Sequence, residues 1–506
     1  MKSFRYVYIF AFVLLLSWSC REDFEYTPKS GTLSFSRDTV FLDTIFTNLG
    51  SATFGLKVYN TSTEDILIPN ISLENGESSN YRLNVDGQDG KSFTDVPLRG
   101  KDSLFVYIET TVANLEPSQK QLLYTDEIMF GSNGNFQKVA LVTLIKNAIF
   151  LYPPSDNPTQ EISISTITGT VTLPGFYLND EELNFTNNLP YVIYGYAAVP
   201  ANKTLTINAG ARVFFHENSG IILDDGASLI INGELSEDST ALEKEIIFQG
   251  DKLGESNEAI PGQWDALWIP ENAGSVTINY LTLKNATTGI RIEGRGNNNT
   301  SKAILNNSQI VNSANTNLLA IDTGITCTNT IFGAAGNNSI GIYGGNYLFN
   351  HCTIANYYNG GFRTNPALFI SNFIKTDLGA NRLYGLDNLI LTNSIIDGSL
   401  DVEIAFDQDT SANFNYKLDH CSLKYNESID NPLYNVNNTD SYEAITLNPA
   451  IDYLDAFLFK YYPTTASEDL LNVSTTNSNT VPTDLFGKDR TMNTNLGATQ
   501  FVPTTN

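Results

Sequence analysis

Two stretches, LFNHCTIAN at residues 348–356 and KLDHCSLKY at residues 417–425, are near-echoes of one another. The chain has only three histidines and four cysteines, and two of each stand side by side here. A metal site or catalytic dyad therefore has to be weighed against a structural repeat. The apolar residue that closes each short strand recurs as Leu283, Ile310, Ile331, Ile354, Ile374, Ile395 and Leu423, at intervals of 27, 21, 23, 20, 21 and 28 residues. The position before the anchor is polar in six of seven cases. Two positions earlier lies a column of Leu281, Ser308, Asn329, Cys352, Asn372, Asn393 and Cys421; the column before that holds Tyr280, Asn307, Thr328, His351, Ser371, Thr392 and His420. Alternation of period two inside a period of 20–28 predicts a parallel β-solenoid, in which each coil buries its inner face only by stacking on the next. The histidines then point outward, the cysteines inward. The two pairs lie three coils apart, about 14 Å at ~4.8 Å per coil. That exceeds disulfide and zinc-ligation distances, so both pairs read as ladder steps.

The totals agree with a repeat. At 506 residues the chain is too long for one ordinary core. It is 42% apolar and only 17% charged, and 29 Lys+Arg against 55 Asp+Glu give a formal charge of −26. Such a surface repels phosphate backbones, so no nucleic-acid partner is expected. With Cys20 set aside, Cys327, Cys352 and Cys421 are too few for a dense disulfide framework.

The first residues, MKSFRYVYIFAFVLLLSWSC, place Lys2 and Arg5 before an apolar run from Tyr6 to Leu16. That run is shorter than the ~20 residues of a membrane-spanning helix and reads as a secretory signal, residues 1–19. Ser17, Trp18 and Ser19 before Cys20 resemble a bacterial lipoprotein box, and Arg21, Glu22 and Asp23 resemble the export tag of Bacteroidetes surface lipoproteins. The resemblance implies that Cys20 is acylated, as with palmitate, and that the chain is held by outer-membrane lipid facing the exterior. The plainer alternative is a cleaved signal with an incidental cysteine.

Residues 20–28 read as anchor and tether. From 29 to 148 short runs alternate: Phe54, Leu56 and Val58; Tyr81, Leu83 and Val85; Leu104, Val106 and Ile108. About seven such strands without a helical period predict an immunoglobulin-like sandwich. FSRDTVFLDTIFTNLGSATFGLKVYN resembles the membrane-proximal module of Bacteroidetes lipoproteins. LYPPSDNPTQ at 151–160 places a polar linker over 149–163. Over 164–501, TLTINAGARVFFHENSGIILDDGASLIINGEL resembles the first coils of right-handed parallel β-helix proteins of the pectin-lyase-like superfamily. DLFGKDRTMNTNLGATQF at 484–501 is similar to its closing motif, with Leu496 where that motif carries Asp. Residues 502–506 are a tail. The expected fold is all-β, a sandwich followed by a right-handed parallel β-helix of about twelve coils, and the expected state is monomeric.

That superfamily contains polysaccharide lyases and hydrolases, so enzyme activity is among the functions the resemblance implies. Its polygalacturonase-like members carry Asn-Thr-Asp, Asp-Asp, Gly-His-Gly and Arg-Ile-Lys in that order. Here Asn438-Thr439-Asp440 follows Asp224-Asp225, Gly-His-Gly is missing, and Arg291-Ile292 precedes Glu293. Asp401 and Glu403 on one strand face, with Asp407 and Asp409 on another, are the weak candidates for a calcium site, which needs six to eight oxygens; a solvated acidic rim is the bland alternative. No other cofactor is expected. Arg291, Glu293 and Arg295 share one face and can hold a sugar carboxylate. Trp264 beside Asp265 can stack on a sugar ring while the carboxylate bonds its hydroxyls, and Tyr357 and Tyr358 can line a groove; packing is the alternative for each. No phosphate loop, nucleotide fingerprint or Gly-x-Ser-x-Gly elbow occurs. Three functions stay open: non-catalytic glycan binding or adhesion, a polysaccharide lyase or glycoside hydrolase, and a structural surface stalk.

Overall fold

The computed structural model describes residues 27–28 and 33–502, apart from 114, 117–118, 133, 155, 158, 239–240, 255–256, 296–300, 377–378, 427, 472, 475–480 and 491–493. The signal, Cys20 and its acidic tag lie outside the described residues. The chain is all-β and divides into two compact units, Met1–Asn147 and Ala148–Asn506.

The first unit is an immunoglobulin-like sandwich of one seven-stranded and one five-stranded sheet. Its spine is the antiparallel hairpin Gln121–Ser132 with Asn135–Lys146. Leu56, Val58, Leu83, Val85, Val106 and Ile108 of one sheet interdigitate with Ile66, Ile68, Ile128, Phe130, Val139 and Leu141 of the other, as period-two alternation requires. There are more strands than the seven expected, because pieces such as Thr39–Phe41 and Ile45–Phe46 are too short to alternate visibly.

The second unit is a right-handed parallel β-helix with three stacks of rungs. Sheet 1 runs from Tyr196–Val199 through Gly220–Leu223, Trp264–Ile269 and Ala286–Glu293 to Leu368–Ser371 and Ile404–Asp407. Sheet 2 runs from Thr204–Asn208 through Ser228–Asn232, Val276–Asn279 and Ala303–Asn306 to Leu386–Thr392 and Phe414–Asp419. The long strands Thr316–Thr328 and Ile340–Asn350 bend through both. Among the described residues sheet 3 has eleven rungs, from Ile149–Leu151 to Thr446–Leu447, against the expected number of about twelve coils. Its first rung falls inside the stretch read as a linker: Leu151 is buried and Ile149–Leu151 pairs with Tyr191–Ile193.

The corner between sheets 2 and 3 is set by one residue per coil in the left-handed region: Tyr280, Asn307, Asn329, His351, Asn393, His420 and Ala444, with φ between 48° and 52°. Asn and His tolerate this conformation better than most side chains. His351 and His420 are therefore turn residues, two rungs apart rather than three. His351 does not face solvent but is fully buried, because the described residues between 449 and 502 fold back over sheet 3. Inside, Leu283, Ile310, Phe332, Ile354, Ile396 and Leu423 stack in one continuous core. Ile331 and Ile395, expected in that column, sit one residue out of register and pack under the tail instead. Ile374 belongs to no coil; it lies in the hairpin Phe373–Lys375 with Asn381–Leu383.

Candidate functional site

Burial distinguishes the three sheets. On sheet 1 the hairpin Glu161–Thr166 with Gly169–Tyr177 lays Ile162 and Ile164 over Tyr196, Ala198, Ile222 and Trp268. On sheet 3 Phe459, Tyr461, Leu485 and Ala498 of the tail cover Val311, Ile331 and Ala355. Rungs of these sheets are consequently buried on both faces, as in Gly220–Leu223 and Ile331–Ala335. Sheet 2 keeps a clean alternation: Ser228–Asn232, Val276–Asn279 and Ala303–Asn306 bury every second side chain and leave the others to solvent. Its outward central column reads Thr206, Ile230, Thr277, Ile304, Thr326, Leu348, Ile390 and Lys417, and Leu348 is 45% exposed. Beside it runs a second column, Asn208, Asn232, Asn279 and Asn306, in which Asn306 donates to Asn279 at 3.1 Å. This column borders a groove of about 740 Å³ that Glu234, Leu235 and Tyr280 also line.

At the opposite edge, where the chain turns from sheet 1 into sheet 2, Arg295 bridges two carboxylates. It donates through Nε to Asp322 at 2.7 Å and through Nη1 to Asp387. Asp322 is a left-handed corner residue, φ 45°, and Asp387 also accepts from Asn413 at 3.1 Å. Burial raises the Asp322 carboxyl above its ordinary value despite Arg295. Desolvation acts the same way on Asp387, but the Asn413 amide and the Arg295 guanidinium outweigh it and hold that carboxyl low. Two carboxylates pushed in opposite directions around one cation are a pattern seen where acid and base roles are divided.

The other residues singled out from sequence scatter. Trp264 lies in the core, stacked on Phe215 at 4.1 Å and donating to the Lys284 carbonyl, so neither ring face is open to a ligand. Asp265 accepts from the Tyr196 hydroxyl at 2.6 Å. Arg291 stacks over Trp268 at 4.1 Å and pairs with the fully buried Glu293, which also accepts from Trp268 Nε1 and the Ile167 amide. Arg295 alone of that trio reaches the edge of sheet 2. Tyr357 donates to Asp397 at 2.6 Å and packs with Tyr453 and Tyr461; Tyr358 lies in the adjoining loop. Asp401 is exposed, whereas both Glu403 oxygens are occupied by Arg363, at 2.8 and 2.5 Å. Asp409 accepts from Asn381, and Asp407 ends the rung Ile404–Asp407. Among the described residues no group of three or more His, Cys, Asp and Glu converges as a metal site. Asp322 and Asp387 went unnoticed in the sequence because each is a lone acid in an apolar strand, and only the coil spacing brings them to one arginine.

No protein-family model matches the chain, and no curated protein does. Among solved structures it is similar to the catalytic unit of a thermostable GH87 alpha-1,3-glucanase from Streptomyces thermodiastaticus, at 9% identity over 73% of this chain and 67% of that one, TM-score 0.28. It is also similar to a GH87 alpha-1,3-glucanase catalytic domain in complex with nigerose, at 10% identity over 74% and 82%, TM-score 0.20. An ASH/PapD-like domain of human CEP192 is similar at 9% identity over 24% of this chain and 89% of that one, TM-score 0.16.

Proposed function

We propose that this chain is a lipid-anchored surface protein whose β-helix binds extended glycans along the outer face of sheet 2 without cleaving them. The observation that supports this reading is the exposure of sheet 2: the hairpin covers the first rungs of sheet 1 and the tail covers sheet 3, whereas sheet 2 presents a stripe of alternating threonine and aliphatic side chains flanked by asparagine amides. Aliphatic side chains pack on the C–H faces of sugars, and the amides match their hydroxyls as donors and acceptors. Acylation of Cys20 holds the chain at the outer membrane as a monomer facing outward, with glycan as its partner. Detergent partition of Cys20→Ala tests the anchor, and protease added to intact cells tests the orientation.

The binding test incubates the soluble chain, residues 21–506, with plant and host polysaccharides and follows retention, reducing ends and unsaturated products. Retention without release is expected, and Leu348→Asp with Ile304→Asp weakens it about tenfold or more by placing charge where sugar must pack. Undiminished retention in that variant sinks the sheet 2 reading. A second reading, glycoside hydrolysis, is favoured by the Asp322–Asp387 pair. Under it, reducing ends are released and Asp387→Asn abolishes their release while leaving retention intact.

A further inference from the structure

The sandwich carries a feature that the β-helix reading does not use. In Ser103–Thr110, Leu104, Val106 and Ile108 turn toward the core, and Phe105 and Tyr107 turn to solvent. Both rings are 45% exposed. Their centroids are 5.9 Å apart and their planes only 10° apart, so the two parallel rings form one aromatic slab. On the neighbouring strand Gly55 pairs with Tyr107 and adds no side chain of its own; a Cβ there would be in ordinary contact with both rings, at 3.7 Å. Lys57 flanks it, its ammonium 5.4 Å from the Phe105 ring. Beyond Tyr107 the sheet face opens into a cavity of about 810 Å³ lined by Arg82, Asn84, Asp89, Lys91 and Glu109. Asn84 donates to Asp89 at 2.7 Å, and Arg82 pairs with Glu109 at 3.4 Å.

Solvent-facing aromatics on an open sheet usually serve recognition, and a parallel pair suits a flat apolar partner. Aliphatic or helical partners fit a slab beside amides and carboxylates poorly. A pyranose fits both parts: its C–H face lies on the rings while its hydroxyls reach the amide and carboxylate oxygens. Arg82 pairs with Glu109, Asp89 accepts from Asn84, and Lys91 donates to the Glu77 and Ser79 carbonyls; these mixed signs select a neutral sugar over a sulfated or uronic one.

We infer that the Phe105–Tyr107 slab and the adjoining Asn84–Asp89 cavity form a second glycan site, on the sandwich, for neutral pyranose chains with flat C–H faces, such as β-linked glucose. It extends the glycan reading to the first unit but stands on separate residues, so either can fail alone. The test uses the chain from residue 21 with neutral hexasaccharides of β-1,4-glucose, β-1,3-glucose and β-1,4-mannose, read by calorimetry and by saturation transfer from aromatic protons to sugar protons. Binding of at least one is expected, weakened about fivefold or more by Tyr107→Thr and further by Phe105→Thr with Tyr107→Thr, threonine keeping the strand propensity. An unchanged melting temperature in these variants confirms that the sandwich is intact, and Asp89→Asn provides a second reading at the cavity should the double variant unfold. If none of the hexasaccharides binds, or if binding survives the slab and Asp89 variants and is lost only with Leu348→Asp, the inference is overturned. A slab variant that changes the chain's self-association with sugar binding untouched overturns it in favour of a protein contact.

Discussion

Arg490 donates to the side-chain oxygen of Asn329 at 3.0 Å, although 161 residues separate them in the chain. Its other N–H groups reach the carbonyls of Gly497 at 3.0 Å and Asn495 at 3.5 Å. Asn329 is a left-handed corner residue, so this contact ties the returning tail to the turn column that defines the coils. Asp484 gathers the same segment, accepting from the amides of Phe486, Lys488 and Gln500. Leu496, in the place of an acid, packs with Ile395 and Leu470. Arg490→Met keeps the stem but strands these acceptors, which predicts a loss of about 2–4 kcal/mol in denaturant unfolding. The tail should also be cut by protease well before the coils, since sheet 3 stays stacked without it. A variant as stable and as resistant as the parent would show that the tail merely rests on sheet 3.

His351 carries a pH dependence. Burial, and then the nearby Arg490 charge, lower its pKa to about 2. In the unfolded chain it titrates near ~6.5. Between those values the unfolded state binds a proton that the folded state refuses, so stability falls as pH drops below ~6.5, by up to ~1.4 kcal/mol per pH unit from this group. His351→Asn supplies the residue that the same column uses at Asn307, Asn329 and Asn393. The variant should lose about one proton from the slope of unfolding free energy between pH 6.5 and 4.5. An unaltered slope would mean that His351 is protonated within the fold.

How far the sequence could be read follows from these same columns. The period of 20–28 survived because inward residues such as Leu283, Ile310, Ile354 and Leu423 must be apolar. The exact register did not, because sheet 3 is buried on both faces under the tail. Ile331 and Phe332, or Ile395 and Ile396, are equally apolar neighbours, and a one-residue slip reverses the face. One coil also conceals its length: Ile354 pairs with Ile396, and the loop and hairpin between them mimic an extra coil ending at Ile374. The exposed face of sheet 2 alternates as plainly as the strands of the sandwich. What was hidden is that sheet 3 and the first rungs of sheet 1 are covered, since the hairpin at 161–177 carries no mark of where it docks and the closing motif at 484–501 does not say which sheet it closes. The Arg295 site was half legible, its arginine recognised and its two carboxylates not.

Arg363 and Glu403 bear on calcium. The pair is buried and bidentate, and Glu403 also accepts from the amides of Ala367 and Leu400 at 2.7 Å each. Burial raises the Glu403 carboxyl despite Arg363. A carboxylate so occupied has no lone pair to offer a cation, so Asp401, Asp407 and Asp409 are left without their inner partner. Millimolar calcium should leave the melting temperature unchanged. Glu403→Gln, by contrast, leaves a buried guanidinium unpaired and should cost about 3–5 kcal/mol. A calcium-dependent rise in melting temperature that Glu403→Gln removes would reverse this reading.

The cysteines give a probe of how the coils open. Cys327, Cys352 and Cys421 are all free and fully buried, with Cys327 and Cys352 sulfurs 3.7 Å apart. Burial pushes the Cys327 thiol well up and the Cys421 thiol to about 12. Thiol reagents need a thiolate and an approach path; burial closes the path to all three, and the raised Cys327 and Cys421 thiols also lack the thiolate. The chain from residue 21 should therefore react negligibly when folded at pH 8 and yield three equivalents in guanidinium. Stacked coils lose contacts from their ends inward. Only the rung Thr446–Leu447 follows the rung of Cys421 in sheet 3, whereas Cys327 and Cys352 lie in the middle of the stack. At intermediate denaturant Cys421 should be labelled first, read by peptide mass spectrometry. Simultaneous labelling of all three would mean that the β-helix opens as one unit, and early labelling of Cys352 would place the first opening at the Arg490 contact instead.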